Sequence, residues 1–211
     1  NEVTITKCEQ NVRDTVEIPA EIENLPVTAI WRRAFANCNL IQSIRIPNTV
    51  KSIGLSAFDN CQNLKNISIP EGVTTLEYST FDSCSSLESI TIPDSVTIIG
   101  SNVFSNCSSL KNITLSKNIE YIAPYVFYGC KKLDNVVIPE KVKTIGASSF
   151  KGCSSLKSIE IPDGVEIIYE KAFSGCGLES ITLPKSLKTI ERQVFKNCRK
   201  LKEFNGGENI T

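Results

Sequence analysis

This chain repeats itself every 23 residues, and the repeat constrains its fold more than any other feature. Cysteine recurs at steps of 23 residues from Cys38 to Cys176, with a final step of 22 to Cys198. A phenylalanine stands three residues before each of these cysteines, at positions 35, 58, 81, 104, 127, 150, 173 and 195. Such a period is typical of solenoids, in which stacked units bury one continuous core. The sequence therefore predicts a repeat array rather than one or two globular domains.

Each unit follows the pattern C-x-x-L-x-x-I-x-I-P-x-x-V-x-x-I-x-x-x-A-F-x-x. Its apolar positions are too few and too far apart to close a core alone, so neighbouring units must stack. The segment L-x-x-I-x-I is rich in β-branched residues and stops at proline, which predicts a β-strand. Stacking would set these strands about 4.8 Å apart in a parallel ladder, and V-x-x-I predicts a second, minor strand.

The residues before each cysteine indicate one short helical turn. The Ala or Val position and the cysteine are four residues apart, and so lie on one helical face. Glycine and asparagine tolerate the left-handed conformation that ends such a turn. They dominate the column before the cysteines, which comprises Asn37, Asn60, Ser83, Asn106, Gly129, Gly152, Gly175 and Asn197.

The segments from Cys84 to Pro93 and from Ile99 to Cys107 resemble the BspA-type subclass of leucine-rich repeats. The resemblance covers residues 34–204 closely. It extends weakly to a unit with a five-residue insertion, which contains Ile18, Pro19, Val27 and Ile30. It implies a curved, right-handed leucine-rich repeat solenoid with a parallel β-ladder, short helical turns and minor second strands. It also implies a bacterial or protist surface or secreted protein that acts in adhesion or host-protein binding.

We expect three parts along the chain. Residues 1–33 are an N-terminal cap with a degenerate first repeat, and residues 34–204 are an array of about eight units. Residues 205–211 are the start of a further or truncated unit, in which Ile210 falls on the valine site. No apolar run reaches the ~18 residues of a membrane span, and the N-terminus does not read as a signal peptide. The resemblance implies a secreted or cell-surface protein, and we therefore expect its signal segment to be absent from this chain.

The composition excludes several kinds of chemistry. The 23 basic and 23 acidic residues cancel, which argues against general attraction to nucleic acid or to a membrane surface. Histidine is absent, so neither a Ser-His-Asp triad nor an imidazole zinc site can form. Carboxylates follow the proline in several units, but their repetition indicates a solvated face rather than one catalytic pair. We expect no enzyme activity and no cofactor.

The nine cysteines permit three interpretations: a disulfide framework, a metal site or a packing column. Paired spacings are absent, which disfavours disulfides, and so are C-x-x-C pairs, which disfavours zinc. We therefore predict a structural ladder of small inward-facing side chains. Its members are Cys38, Cys61, Cys84, Cys107, Cys130, Cys153, Cys176 and Cys198. Cys8 lies outside this ladder, and its redox state is left open.

The outward positions hold the candidate binding residues. One column of the main strand alternates in charge from unit to unit, which favours a self-neutralising ladder over a recognition strip. The next outward column includes Arg45, Thr91 and Thr114, which are candidates for protein binding. Apolar residues also occupy outward positions near the minor strand, where they have no role in the core. This second candidate patch comprises Ile98, Tyr121, Tyr125, Tyr128 and Ile167.

Three functions are compatible with these patterns. The favoured one is an extracellular protein-binding module, whose ligand is a protein such as a host extracellular-matrix or plasma protein. The alternative is a structural spacer or stalk that presents another domain of a longer protein. The third, an enzyme, lacks a phosphate loop, a metal motif and a catalytic constellation in the sequence.

Overall fold

The computed structural model describes residues 2–207, in which the chain forms eighteen short β-strands and no helix. Ile210 and the rest of 208–211 lie outside the described residues. In chain order the strands are β1 (Val3–Ile5), β2 (Asp14–Glu17), β3 (Glu21–Ile22), β4 (Leu25–Ile30), β5 (Ile41–Arg45), β6 (Ser52–Ile53), β7 (Asn66–Ile67), β8 (Thr75–Leu76), β9 (Ser89–Thr91), β10 (Ile98–Ile99), β11 (Asn112–Thr114), β12 (Tyr121–Ile122), β13 (Asn135–Val136), β14 (Thr144–Ile145), β15 (Ile167–Ile168), β16 (Ser180–Thr182), β17 (Thr189–Ile190) and β18 (Glu203–Asn205).

The strands stack in two ladders on different sides of the coil. The first ladder contains β2, β5, β7, β9, β11, β13, β16 and β18, and the second contains β1, β4, β6, β8, β10, β12, β14, β15 and β17. Pairing within both is parallel and joins equivalent positions of neighbouring units, such as Ile90 with Ile113 and Thr144 with Ile167. The predicted solenoid of main and minor strands is confirmed, except that the unit after Cys153 has only an isolated bridge, from Glu160 to Thr182, in place of a main strand.

A column of phenylalanines forms the centre of the core. Neighbouring rings from Phe35 to Phe195 stack with centroids 5.2 to 5.9 Å apart and planes within 26° of parallel. Burying one such side chain contributes about 1.5–3 kcal/mol, and each stacked contact about 0.5–1.5 kcal/mol more. Because each ring from Phe58 to Phe173 packs against rings of both neighbouring units, the core is continuous along the array.

The third side of the coil, called the turn side here, joins each second-ladder strand to the next cysteine. A helical turn was predicted there, but residues 2–207 contain none. The amide N–H groups alternate instead between two kinds of acceptor. Phe104 and Asn106 donate to the carbonyls of Val126 and Tyr128 in the next unit, at 3.0 and 2.6 Å, whereas Cys107 donates to Phe104 within its own unit at 3.2 Å. The turn side is therefore a third inter-unit hydrogen-bond ladder.

Residues with a left-handed backbone conformation make this alternation of hydrogen-bond acceptors possible. All eight residues of the column before the cysteines have positive φ, from 57° at Asn106 to 81° at Gly152, as predicted. A second positive-φ column lies four residues earlier, and the sequence pattern did not reveal it. Its members, with φ from 53° to 62°, are Arg33, Ser56, Ser79, Asn102, Tyr125, Ser148, Lys171 and Gln193.

Two departures from the period have local explanations. The insertion in the first unit folds as a hairpin, in which β3 pairs antiparallel with β4. Its turn residues Glu23 and Asn24 both have positive φ, as a tight hairpin turn requires. The residue missing from the seventh unit shortens the turn at Gly177, where an added Cβ would lie 2.2 Å from the carbonyl oxygen of Ser154. Only glycine permits this close approach.

Candidate binding surfaces

The cysteine column lies inside the coil. The seven residues from Cys38 to Cys176 are at most 4% exposed, and Cys198 is half-buried. From Cys61 to Cys198, each Sγ donates to the carbonyl of the phenylalanine one unit earlier, at 3.0 to 3.2 Å. Burial raises the pKa of Cys61 to about 12 and that of Cys107 well above its ordinary value. At neutral pH these groups are therefore neutral thiols, and they satisfy backbone carbonyls.

Exposed apolar side chains concentrate on one surface, which we call the tyrosine face. It consists of the outward side chains of the second ladder and of the adjoining turn side. Among residues 2–207, seven of the eleven exposed large apolar side chains lie there, namely Trp31, Leu55, Tyr78, Ile98, Tyr121, Tyr125 and Tyr169. Singly exposed apolar residues are ordinary, but a concentration on one face is typical of an interaction site.

The centre of the tyrosine face is the unit that carries three tyrosines. Tyr121 begins β12 and is 39% exposed, and Ile98 occupies the same position one unit earlier at 44%. The rings of Tyr125 and Tyr128 lie 6.0 Å apart at an angle of 60°, and Nζ of Lys151 is 5.4 Å from the Tyr128 ring centroid. The structure thus brings four of the five predicted patch residues into neighbouring positions.

Ile167 lies farther along the same ladder. Thr144 separates it from Tyr121, since Tyr121 pairs with Thr144 and Thr144 pairs with Ile167. Its side chain is half-buried, and the exposed Tyr169 follows two residues later. Ile167 and Tyr169 therefore extend the face beyond the central unit, at a distance of about two strand spacings.

Tyr125 has an unusual backbone conformation for an aromatic residue. Its φ is 59°, in a column where the other units hold Ser, Asn, Arg, Lys or Gln. Positive φ is costly for a bulky side chain, and such strain is found most often at functional sites. Every other unit has a polar, non-aromatic residue at this position, so Tyr125 departs from the preference of its column.

In the N-terminal part of the tyrosine face, Tyr78 was predicted as an outlying member of the patch, whereas Trp31 and Leu55 were not predicted. Leu55 and Tyr78 occupy the same position in consecutive units, and the backbone N–H of Ser56 donates to the carbonyl of Tyr78 at 2.9 Å. Trp31 lies beside them, 56% exposed. All three fall on variable positions of the repeat, and the only sequence signal was a large apolar residue where the pattern requires none.

The remaining candidates lie on a different side of the coil. Arg45, Thr91 and Thr114 face outward from the first ladder, where they line an open hollow of about 630 Å³ with neighbouring Ser and Asn side chains. Thr91 pairs directly with Thr114, and Arg45 lies 3.7 Å from Glu17 in an exposed ion pair. The eight predicted binding residues thus form two separate surfaces, one apolar and one polar.

The charges of the outward columns pair between units in several places. Lys111 lies 3.8 Å from Asp134 in the alternating column of the first ladder. On the second ladder, Lys188 lies 2.8 Å from Glu166 and holds the pKa of that carboxyl below its ordinary value. Because solvent screens exposed pairs of this kind, they add little to the stability of the fold.

Residues 2–207 contain no cluster of three or more His, Cys, Asp or Glu side chains that could hold a metal ion. Over the same residues, no helix is long and apolar enough to span a membrane.

Three solved structures are similar to this one. A leucine-rich repeat protein from Bacteroides ovatus is 28% identical with a TM-score of 0.67, over 90% of this chain and 62% of that one. A leucine-rich repeat protein from Eubacterium ventriosum is 27% identical with a TM-score of 0.70, over 87% and 58%. The pneumococcal vaccine antigen PcpA is 28% identical with a TM-score of 0.61, over 87% and 51%. This chain thus spans between half and two thirds of their lengths.

No curated protein matches the sequence. The family model of the BspA type leucine rich repeat region matches it in six copies, over residues 28–142 and 120–211. These matches include the cysteine, phenylalanine and strand columns on which the two ladders and the turn side are built. The chain therefore belongs to the BspA-type leucine-rich repeat family.

Proposed function

We propose that this chain is a protein-binding module of a secreted or cell-surface protein, and that it acts in adhesion or host-protein interaction through the tyrosine face. The observation that carries the proposal is the concentration of exposed Tyr, Trp, Leu and Ile on one side of a rigid coil. Tyrosine and tryptophan are the residues most enriched at the energetic centres of protein interfaces.

The architecture of the array supports this use. The tyrosine face is anchored to β-strands and to hydrogen-bonded turns, so its side chains lose little freedom when a partner binds. Lys151 places a charge beside Tyr128 at the apolar centre, and the ion pair of Glu166 with Lys188 adds charges farther along the face, beside Ile167. An apolar centre with a charged rim is the common arrangement of protein interfaces.

The comparisons support the same class of function. The family is one of repeat scaffolds, and one similar structure is that of a vaccine antigen. The surface location and the adhesive role come to this chain from that resemblance, and they form part of the proposal. The polar hollow of the first ladder is the competing surface for the same function.

The experiment compares the two surfaces directly. The chain is immobilised and its binding to a panel of purified extracellular-matrix and plasma proteins is measured by biolayer interferometry. One variant carries Tyr121→Ser and Tyr128→Ser, and the matched control carries Thr91→Ala and Thr114→Ala. We expect the tyrosine variant to bind at least about thirtyfold more weakly, as for the loss of a hot spot, and the threonine variant to bind normally.

The opposite pattern would assign binding to the first ladder and would reject the tyrosine face. If the unchanged chain bound no protein of the panel, the result would favour the spacer function. Circular dichroism of both variants confirms that any loss of binding is not a loss of the fold, since all four substitutions are at exposed or half-buried positions.

A further inference from the structure

The first thiol of the cysteine column has a different partner from the others. Each later thiol donates to a phenylalanine carbonyl at 3.0 to 3.2 Å. Cys38 has no such acceptor, because the position 23 residues before Phe35 is Val12. Its Sγ lies instead 3.9 Å from the carbonyl oxygen of Cys8, which is 30 residues earlier in the chain.

Cys8 is held against this end of the column by its own backbone. Its N–H donates to the carbonyl of Ala34 at 2.6 Å, and its own carbonyl oxygen accepts from the thiol of Cys38 at 3.9 Å. The Sγ of Cys8 reaches the carbonyl of Glu9 at 3.6 Å. Two cysteines from distant parts of the chain are therefore in contact, and neither thiol has a short hydrogen bond to a carbonyl.

Access to solvent distinguishes this pair from the other thiols. Cys8 is half-buried and lines an open cavity with Lys7, Glu9 and Arg33. Cys153 and Cys176, by contrast, are buried, and both donate to phenylalanine carbonyls. The pair of Cys8 and Cys38 combines close approach with a route for a reagent, through the cavity at Cys8.

We propose that Cys8 and Cys38 form a disulfide by exchange with a small-molecule disulfide such as oxidised glutathione. The Cys8 thiolate attacks one sulfur of the reagent, whose S–S bond breaks and releases one thiol, which takes the proton that Cys8 lost. Cys38 then loses its proton and attacks the Cys8 sulfur, and the second thiol leaves with that proton. The two protein thiols lose two electrons in all, and the reagent is reduced to two thiols.

The disulfide would close the segment from Cys8 to Cys38 and tie the N-terminal strand β1 to the array. A closed loop of this size restricts the unfolded segment, so local opening becomes rarer. Burial raises the pKa of the Cys8 thiol and raises that of Cys38 to about 12. Since the thiolate is the attacking form, the exchange rate should increase with pH.

The experiment is peptide mapping after oxidation. The reduced chain is incubated with oxidised glutathione, the remaining thiols are alkylated, and trypsin is added under non-reducing conditions. Cleavage after Lys7, Arg13, Arg33 and Arg45 gives peptides 8–13 and 34–45, each with a single cysteine. We expect these two peptides linked, with a mass lower by two hydrogen atoms than their sum, and amide exchange in β1 slowed by at least about tenfold.

Two variants make the test specific. Cys8→Ser should abolish the link and leave Cys38 free, whereas Cys198→Ser removes the other half-buried thiol and should leave the link intact. Glutathione that remains on Cys8, a disulfide between two chains, or a link from Cys8 to another cysteine would each overturn the proposal. The result is independent of the tyrosine face, because no binding partner takes part in the experiment.

Discussion

The interior of the coil and its tyrosine face belong to the same repeating units, but their side chains follow different rules. Phenylalanine occupies its interior column in all eight units from Phe35 to Phe195, because an interior ring must fit between two rings like itself. The outward column that contains Ile98, Tyr121 and Ile167 holds Ser or Thr at four other positions, 52, 75, 144 and 189. Packing against the neighbouring units therefore determines the interior residues, whereas the outward residues are free to serve function. Substitutions in the interior should mainly change stability, and substitutions on the outward face should mainly change binding.

The largest effect we expect on the interior is alkaline unfolding. A thiol ionises with an ordinary pKa of 9.0 when unfolded, and burial raises the pKa of Cys84 and Cys107 well above that value. The folded state thus favours the protonated thiol. The contribution of the neutral thiols to stability is complete below about pH 9 and is lost as the pH rises further. Each such thiol should lower the free energy of unfolding by up to about 1.4 kcal/mol per pH unit, and the whole column should lower it by several times that amount.

The measurement is urea unfolding from pH 8 to pH 11 with a reductant present, where the ordinary thiol pKa of 9.0 falls inside the range. Cys107→Ala is the matched variant, since it removes one titrating thiol. Its stability should fall less steeply, by up to about 1.4 kcal/mol per pH unit. Identical slopes for the two proteins would show that Cys107 does not take part.

Phe104→Ala should have the next largest effect. The ring is fully buried and stacks on Phe81 and Phe127 at 5.6 and 5.9 Å. Its loss leaves a cavity within a continuous column, and we expect the free energy of unfolding to fall by about 3–5 kcal/mol. Thr114→Ala, at an exposed position, should change it by less than about 0.5 kcal/mol. Chemical denaturation checks both values, and equal losses would contradict the assignment of interior and outward positions.

Most of the interior could be predicted from the sequence. Equivalent positions in the stacked units must hold side chains of the same shape, so the same or a similar residue recurs from unit to unit. The strand positions of Ile90 and Ile113 follow from such repetition. The turn side could not be predicted, because its amide N–H groups can donate either within a helical turn or to carbonyls of the next unit. The same residue types are compatible with both patterns. Gly and Asn indicated left-handed backbone correctly, but they do not distinguish the end of a helix from a turn.

The candidate surfaces were predicted only in part, for a related reason. Tyr121 and Ile98 stood out because their column alternates strictly with a buried one. Trp31 and Leu55 lie in turns, where the period does not determine which side chains point to solvent. The sequence assigns Arg45, Thr91 and Thr114 to the main strand and the tyrosines to the neighbourhood of the minor strand, but it does not show on which side of the coil each strand lies.

A substitution in the left-handed column should have a smaller effect. Gly152 has φ of 81°, and an added Cβ would make only ordinary contact, 3.7 Å from Gly129. The cost of Gly152→Ala is therefore conformational, about 1–2 kcal/mol. Gly152→Asn should cost less, because asparagine already occupies this column in four other units, including those of Asn37 and Asn106. Thermal unfolding separates the two variants, and equal losses would point to packing instead of backbone conformation.

The smallest effect on stability, and the sharpest contrast with the interior, should come from Tyr125→Asn. Asparagine suits positive φ better than tyrosine does, and it stands at the equivalent position Asn102 one unit earlier. We expect the free energy of unfolding to stay the same or rise by up to about 1 kcal/mol. Binding to the partner found with the protein panel should nevertheless weaken, because the ring beside Tyr128 is lost. A substitution that improves the fold and impairs binding can only be explained by a side chain kept for function, whereas a loss of stability would mean that the tyrosine is structural.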